Sequence, residues 1–268
     1  MNAALEVRNL KKYFPIKVGF FKSLLSKETP QVHAVDDISF EIREKEIFGL
    51  VGESGCGKTT TGRTILRLIE PTSGKVFFYG TDITLLPYKD MQNLRKKMQT
   101  IFQDPYESLN PRMSVYDLIA EPMRIQHVLN SEEEVTERIY EVMKEMDLVP
   151  PEEYVYRFPH ELSGGQRQRV AIARAFTLKP KFIVADEPVS MLDASIRSGV
   201  SKLILNLVEE YKLSLLYITH DISLARYMCN LIAVMYLGQI VEKGPTENVI
   251  QNPFHPYTKA LIRAVPVP

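Results

Sequence analysis

Nine consecutive residues, Gly52-Glu53-Ser54-Gly55-Cys56-Gly57-Lys58-Thr59-Thr60, have the types and spacing to hold a polyphosphate. Glycines let the backbone wrap an anion so that successive N–H groups point inward as a nest. Lys58 is spaced to reach the β- and γ-phosphates, and the Thr59 hydroxyl to ligate Mg²⁺. This chemistry requires a strand before the loop and a helix after it. Ile47-Phe48-Gly49-Leu50-Val51 is an apolar run that reads as a buried strand, and Thr61–Ile69 has helical spacing of apolar residues. The helix adds its positive dipole end. The implied ligand is a nucleoside triphosphate.

Two further stretches could act on that ligand. Phe182-Ile183-Val184-Ala185-Asp186-Glu187 is an apolar strand ending in two carboxylates, the end at which open parallel sheets bind ligands. Asp186 is expected to hold Mg²⁺, and Glu187 to polarise an attacking water as general base. Leu162-Ser163-Gly164-Gly165-Gln166 places Ser163 as a helix N-cap with two glycines in the first turn, a second anion site. The plainer alternative is a capped helix. One chain has no evident use for two phosphate sites on one ATP. Two chains meeting head to tail, each offering this helix to the other's nucleotide, would use both.

The elements positioning these residues follow from periodicity. Leu5–Leu10 and His33–Ile42 alternate as half-exposed strands, and Lys75–Tyr79 is a third. Asp90–Lys97 reads as a short helix, Met98–Phe102 as a strand, and Asp104–Met113 as a loop rich in Pro and Asn. Val115–Gln126 and Glu132–Asp147 have helical spacing, the second with Ser131 and Glu134 as a capping box. The segment from Gln103 to Ser163 is therefore nearly all helix and loop. A helix from Ser163 to about Leu178, the strand 181–185, a helix over Arg197–Tyr211, the buried strand Ser214–Thr219 and a helix over Ser223–Cys229 follow. A hairpin through Gly238 and a helical stretch near Tyr257–Val265 complete the order. Residues 15–32 are basic and aromatic, with Lys17, Lys22 and Lys27 around Phe20, Phe21, Leu24 and Leu25. They suit either a hairpin insert packed on its own sheet or a contact with a membrane surface.

Composition sets bounds. The 268 residues suffice for one large α/β domain or a core plus a smaller lobe, and 45% are hydrophobic. Acidic and basic residues balance at 33 each, so nothing indicates a nucleic-acid footprint. Cys56 and Cys229 suggest neither a disulfide framework nor a metal cluster, and fit a reducing compartment. The N-terminus lacks a signal-peptide pattern, and no apolar run approaches the ~20 residues needed to span a bilayer. A membrane role would come through a partner.

Taken together, the loop at 52–59, the Leu-Ser-Gly-Gly-Gln at 162–166, the acidic strand at 182–187, Gln103 and His220 resemble the ATPase subunits of ABC transporters, in order and approximate spacing and over essentially the whole length. The resemblance implies an α/β fold: a P-loop NTPase (RecA-like) core with an antiparallel β lobe and an inserted all-helical lobe. It divides the chain into an ATPase domain at 1–243, with the helical lobe at about 104–162, and a tail at 244–268. It implies a nucleotide-sandwich dimer that closes on two ATPs. Nucleotide contacts then fall on Gly52, Ser54, Gly55, Cys56, Gly57, Lys58, Thr59, Thr60, Gln103 and Asp186, and in trans on Ser163, Gly164, Gly165, Gln166 and Asp193. Mg²⁺ ligands are Thr59, Gln103 and Asp186; the catalytic set is Glu187, His220, Gln103 and Lys58. Ser190–Asp193 resembles the family's D-loop, with Met191 where alanine is commoner. His220 is implied to hold the γ-phosphate and position Glu187. An aromatic after the first strand is implied to stack on adenine; Phe14 fits best, with Tyr13 as the alternative.

Gln103-Asp104-Pro105-Tyr106, Ser108-Leu109-Asn110-Pro111-Arg112 and Asn252-Pro253-Phe254-His255-Pro256-Tyr257-Thr258 are similar to the oligopeptide/dipeptide importer group. The insert at 15–32 resembles the second of the two ATPases such importers carry. The implied partners are a homologous second ATPase subunit (with a homodimer as the alternative in isolation), two transmembrane permease subunits and an extracytoplasmic solute-binding protein, with no nucleic acid. The implied location is peripheral, on the cytoplasmic face of the cell membrane. ATP and Mg²⁺ are the expected cofactors. No cysteine follows Cys229, so an iron–sulfur cluster is not expected on this chain. Other solutes of related importers, oligosaccharides or nickel chelates, remain alternatives. A soluble ABC ATPase acting on nucleic acid or ribosomes would carry two cassettes or a long coiled-coil insert. A small-molecule kinase would need neither 162–166 nor His220.

Overall fold

Strand alternation governs the start of the chain. A computed structural model describes residues 3–16, 30–129 and 131–264, and in it β1 (Ala3–Pro15) and β2 (Gln31–Arg43) run antiparallel, pairing Val7 with Phe40 and Leu10 with Ile38. Leu5, Val7, Leu10, Val35, Ile38 and Phe40 are buried, so one face of the pair is core. β1 is longer than its clean alternation, because Tyr13, Phe14 and Pro15 still pair with His33, Val32 and Gln31. The proposed insert residues Lys17, Phe20, Phe21, Lys22, Leu24, Leu25 and Lys27 lie outside the described residues, as do 265–268.

The backbone then enters β3 (Ile47–Val51), buried at every position, and α1 (Lys58–Ile65), with the glycine-rich loop between them. α1 ends four residues earlier, and begins three earlier, than the sequence pattern suggests. Arg67 takes φ +47° and turns its guanidinium onto the carbonyls of Ile83 and Leu86, which ends the helix. β4 (Ser73–Phe78) and β5 (Thr81–Asp82) complete a four-stranded antiparallel sheet of order β2-β1-β4-β5.

The chain divides into two compact units, one comprising 1–86 and 218–268, the other 87–217. The second contains α2 (Tyr88–Arg95), β6 (Met98–Ile101), α3 (Pro105–Ser108), α4 (Val115–Gln126) and α5 (Glu132–Glu145), then two short 3-10 turns at 151–153 and 159–161. α6 (Gly164–Phe176), β7 (Phe182–Asp186) and α7 (Ala194–Tyr211) follow. β6 and β7 are parallel, pairing Met98 with Phe182 and Ile101 with Ala185. No strand occurs between 102 and 162 among the described residues. α3 lies in the expected loop; the Asp104 carboxylate caps it by accepting the Tyr106 N–H at 2.7 Å, and Pro105 sits in its first turn. Ser131 caps α5 through the Glu134 N–H, as its position suggests.

Arg138 ties this unit together. It is 7% exposed and donates to the carbonyls of Phe176 and Thr177, which end α6, and to the Tyr211 hydroxyl at the end of α7. Glu141 and Glu145 neutralise it.

β8 (Ser214–Thr219), buried throughout, leads back into the first unit. α8 (Ile222–Met228), β9 (Leu231–Tyr236), β10 (Gln239–Pro245), α9 (Thr246–Gln251) and α10 (Pro256–Arg263) follow. β9 pairs parallel with β3 and antiparallel with β10. α9 is too short for its periodicity to be read.

Candidate functional site

The loop between β3 and α1 is shaped by close backbone approach. A Cβ at Gly52 would lie 2.3 Å from the Met235 carbonyl oxygen, and one at Gly57, whose φ is +113°, would lie 2.0 Å from the Ala34 carbonyl oxygen. No other residue fits either place. The β9–β10 turn backs the loop, with the Gly238 N–H donating to the Cys56 carbonyl at 2.9 Å. α1 begins at Lys58 with no side-chain cap and no acidic residue in its first turn, so side chains neither block nor repel an anion there. Lys58 is 4% exposed, and its ammonium donates to the Gly52 and Glu53 carbonyls at 2.8 Å each. Ser54 and Gly55 are exposed, whereas Thr59 and Thr60 are half-buried. Burial pushes the Cys56 thiol pKa up, against the opposing pull of the Lys58 charge.

In the second unit, β7 delivers Asp186 as a buried carboxylate and Glu187 as a half-buried one. Glu187 takes φ +47°, and its Oε2 accepts the Gln103 side-chain N–H at 3.1 Å. Two sequence-predicted residues 84 positions apart thus meet. The chain after Glu187 is held by its own backbone: the Ser190 hydroxyl donates to the Glu187 carbonyl, and Arg197 donates to the carbonyls of Leu192 and Ser190. Asp193 caps α7 without a side-chain capping bond and is exposed.

Ser163 and Gln166 form a reciprocal capping box: the Ser163 hydroxyl accepts the Gln166 N–H at 3.3 Å, and the Gln166 Oε1 accepts the Ser163 N–H at 2.9 Å. The hydroxyl keeps its own proton for donation. Gly165 packs against α7, where a Cβ would come within 2.9 Å of Ile196 Cγ2. Gly164 is half-buried and Ser163 exposed.

His220 is exposed and lies in the first unit, directly after β8. The two aromatics considered for a base differ. Tyr13 is engaged, its ring stacked on His33 at 3.9 Å and its hydroxyl donating to Asp36, which raises the phenol pKa to about 12. Phe14 is 39% exposed, with the Lys12 ammonium 4.9 Å from its ring centre.

Two features were not legible as sites in the sequence. A groove of about 230 Å³ in the second unit is lined by Gln99, Phe102, Leu109, Ile125 and Arg174, immediately beside Gln103 in sequence. Phe102 and Ile125 are exposed apolar residues within it. In the first unit, the Tyr257 hydroxyl accepts the Glu53 N–H of the phosphate loop. The groove has no local sequence signature beyond apolar residues in a helix, and the stretch holding Tyr257, though similar to an importer group, does not point to Glu53. Among the described residues no helix is long and apolar enough to cross a membrane, and no group of three or more His, Cys, Asp or Glu residues could hold a metal ion.

Comparison with known proteins gives concordant results. Residues 35–190 match the family described as "ABC transporter", and residues 241–268 match "Oligopeptide/dipeptide transporter, C-terminal region". The chain is 46% identical over 265 residues to the oligopeptide transport ATP-binding protein OppF of Bacillus subtilis (strain 168), covering 98% of this chain and 83% of that one. It is 48% identical over 263 residues to the glutathione import ATP-binding protein GsiA of Escherichia coli O157:H7, of whose length it spans 41%. Among solved structures, the ATP-binding cassette MJ0796, a dimer bound to ADP and Pi, superposes with a TM-score of 0.78 at 28% identity, covering 90% of this chain and 98% of that one. CbiO1 from Clostridium perfringens, described as part of the transporter complex cbiONQ, gives 0.77 at 26% identity, covering 94% and 92%.

Proposed function

The chain belongs to the ABC transporter family, and from that premise we propose that it is the ATP-hydrolysing subunit of an importer for oligopeptides or dipeptides. The observation that carries the catalytic reading is the Gln103–Glu187 hydrogen bond, which holds a carboxylate in place at the end of an apolar strand. In this reading residues 1–243 are the ATPase domain, with a helical lobe at about 104–162, and residues 244–268 are a tail.

The phosphates of ATP sit in the nest of Gly52, Ser54, Gly55, Cys56, Gly57 and Thr60, and Lys58, whose ammonium has a third N–H beyond the two given to the loop carbonyls, reaches the β- and γ-phosphates. Phe14 stacks on the adenine, since Tyr13 is engaged by His33 and Asp36. Glu187 accepts a proton from the attacking water, and His220 positions it. The residues offered to Mg²⁺ suit that cation. Thr59 brings a hydroxyl, Asp186 a carboxylate, and Gln103 an amide carbonyl left over once its N–H has gone to Glu187. Mg²⁺ supplies charge neutralisation between the phosphates. Ser163, Gly164, Gly165, Gln166 and Asp193 serve the nucleotide of a partner chain. The uncommitted Ser163 proton and the exposed Asp193 carboxylate support that role.

The partners are a homologous second ATPase, two membrane-spanning permease subunits and an extracytoplasmic binding protein, which places the chain on the cytoplasmic face of the membrane. The groove beside Gln103, with its exposed Phe102 and Ile125, suits a short helix of a permease subunit. The tail match at 241–268 and the similarity to a peptide-transport subunit support the solute class; glutathione is itself a small peptide. The test is Glu187→Gln: MgATP binding is retained and turnover is lost. Undiminished hydrolysis would remove Glu187 as the base. Stimulation of hydrolysis in the assembled importer by a sugar- or nickel-loaded binding protein, and not by a peptide-loaded one, would redirect the substrate class.

A further inference from the structure

The tail is fastened to the phosphate loop through a short series of named contacts. Glu242, on β10, accepts the backbone N–H groups of Phe254 and His255 at 2.8 and 3.0 Å. Burial pushes its carboxyl up, but these bonds and the Thr258 hydroxyl outweigh that and leave it below the usual range, so it is ionised at neutral pH. His255 caps α10, its Nδ1 accepting the Tyr257 N–H at 3.1 Å. The Tyr257 ring then lies against Tyr236 of β9, with ring centres 4.3 Å apart. Its hydroxyl accepts the Glu53 N–H at 3.1 Å. β9 and its turn hold the same loop from behind, through the Met235 carbonyl against Gly52 and the Gly238 N–H on the Cys56 carbonyl.

The backbone around Glu53 is thus held by two side chains. Its carbonyl, with that of Gly52, receives the Lys58 ammonium; its N–H goes to Tyr257. The two bonds differ in one respect. The Lys58 ammonium is shared between the loop carbonyls and any bound phosphate, whereas the Tyr257 hydroxyl comes from the tail and does not compete for the ligand. Burial raises the Tyr257 phenol pKa, so the group stays neutral around pH 7 and accepts this N–H with its own proton in place.

We propose that Tyr257 is a positioning residue that fixes the entrance of the phosphate loop from the tail and so sets the loop's affinity for nucleoside triphosphate. The tail thereby acts on nucleotide binding, beyond any contact with solute or permease. The inference rests on the reading of residues 52–60 as an ATP site. Without the bond, the Glu53 N–H loses its fixed acceptor, and the nest must be ordered at the expense of binding.

Tyr257→Phe tests this, because it removes the hydroxyl and keeps the ring against Tyr236. Calorimetric titration of the full chain with MgATP is expected to show a Kd raised about three- to tenfold, the range for one net hydrogen bond. The melting temperature should fall by no more than about 4 °C, the cost of one net hydrogen bond in a chain of this size. In hydrolysis by the chain assembled with its partner ATPase, KM should rise by the same factor while kcat is preserved. Tyr236→Phe, which keeps both rings, should bind as the unaltered chain does. Equal Kd values for Tyr257→Phe and the unaltered chain would overturn the proposal. So would a fall in kcat at constant KM, which would place the hydroxyl in the chemical step. Lys58→Ala separates the two levels. If the unaltered chain binds MgATP no better than Lys58→Ala, the ATP site itself fails and Tyr257 with it.

Discussion

A thiol two residues before Lys58, the lysine proposed to bind phosphate, gives a reporter on the loop. Cys56 is 7% exposed and 3.9 Å from the Lys58 ammonium. Burial raises its pKa and outweighs the cation's pull, so little thiolate exists at pH 7. The thiolate is the reacting form, and alkylation by iodoacetamide is expected to be slow at neutral pH and to accelerate about tenfold per pH unit until the raised pKa is passed. Modification at Cys56, identified by peptide mass, should abolish MgATP binding, and prior MgATP should protect. A rate already at its plateau at pH 7, or no protection, would contradict this placement. The placement of Lys58 at a helix start, Glu187 after a strand and Ser163 as a cap was legible because those patterns are local, whereas Gln103 stands out only through the family resemblance. The Tyr13–Asp36 bond and the Tyr257–Glu53 bond were not legible. The second joins residues 204 positions apart, and nothing in either local pattern announces the other end.

Most elements were legible because apolar periodicity and caps agree. β3, β7 and β8 are apolar runs buried at every position, as strands covered on both faces require. The misses sit where tertiary contacts override the pattern. α1 stops early because Arg67 turns to the carbonyls after β5, and α3 and α9 are too short to show a period. Arg138 illustrates the same limit. At the spacing of Val135, Ile139 and Val142 it occupies the buried face of α5, where sequence reasoning expects an apolar residue. It is tolerated because it satisfies the last carbonyls of α6, the Tyr211 hydroxyl and Glu145 together. Replacing it by Met should leave Glu145 without its cation, though still bonded to the Tyr211 hydroxyl, and those carbonyls without its guanidinium, costing about 3 kcal/mol or more. In a chain of this size that lowers the melting temperature by roughly 10 °C. Thermal unfolding followed by circular dichroism would check this, and a shift under about 2 °C would show that the network is dispensable. The phosphate loop belongs to the other compact unit, so MgATP affinity measured below the transition is expected to be preserved.

For the whole molecule the question is how many chains make one active site. The sequence holds two candidate anion sites for one nucleotide, and the head-to-tail pairing of two chains is inferred from that surplus and from the family resemblance. Self-association leaves no periodicity in a single chain. Each site is locally complete in its own terms. The loop at 52–60 has its lysine folded onto its own carbonyls, and the helix at Ser163 has its cap bonded to its own backbone while keeping a hydroxyl proton to donate. If the Ser163 helix of one chain serves the loop of another, damage to the two sites should complement. Lys58→Ala removes the loop's cation and leaves the helix intact. Ser163→Arg places a long side chain at an exposed position, losing about 1 kcal/mol of capping and obstructing the helix end, with the loop intact. Where the chain pairs with itself, each variant alone should be inactive, and a mixture should regain hydrolysis because the mixed dimer holds one intact loop facing one intact helix. Where it pairs with a different ATPase, the same rescue should appear when the two lesions are placed on the same composite site of the pair, leaving the other site working. Specific activity should also rise with protein concentration, as a second-order association demands. A specific activity constant on dilution, together with no rescue in any mixture, would mean that one chain completes its own site and that the second anion site is only a capped helix.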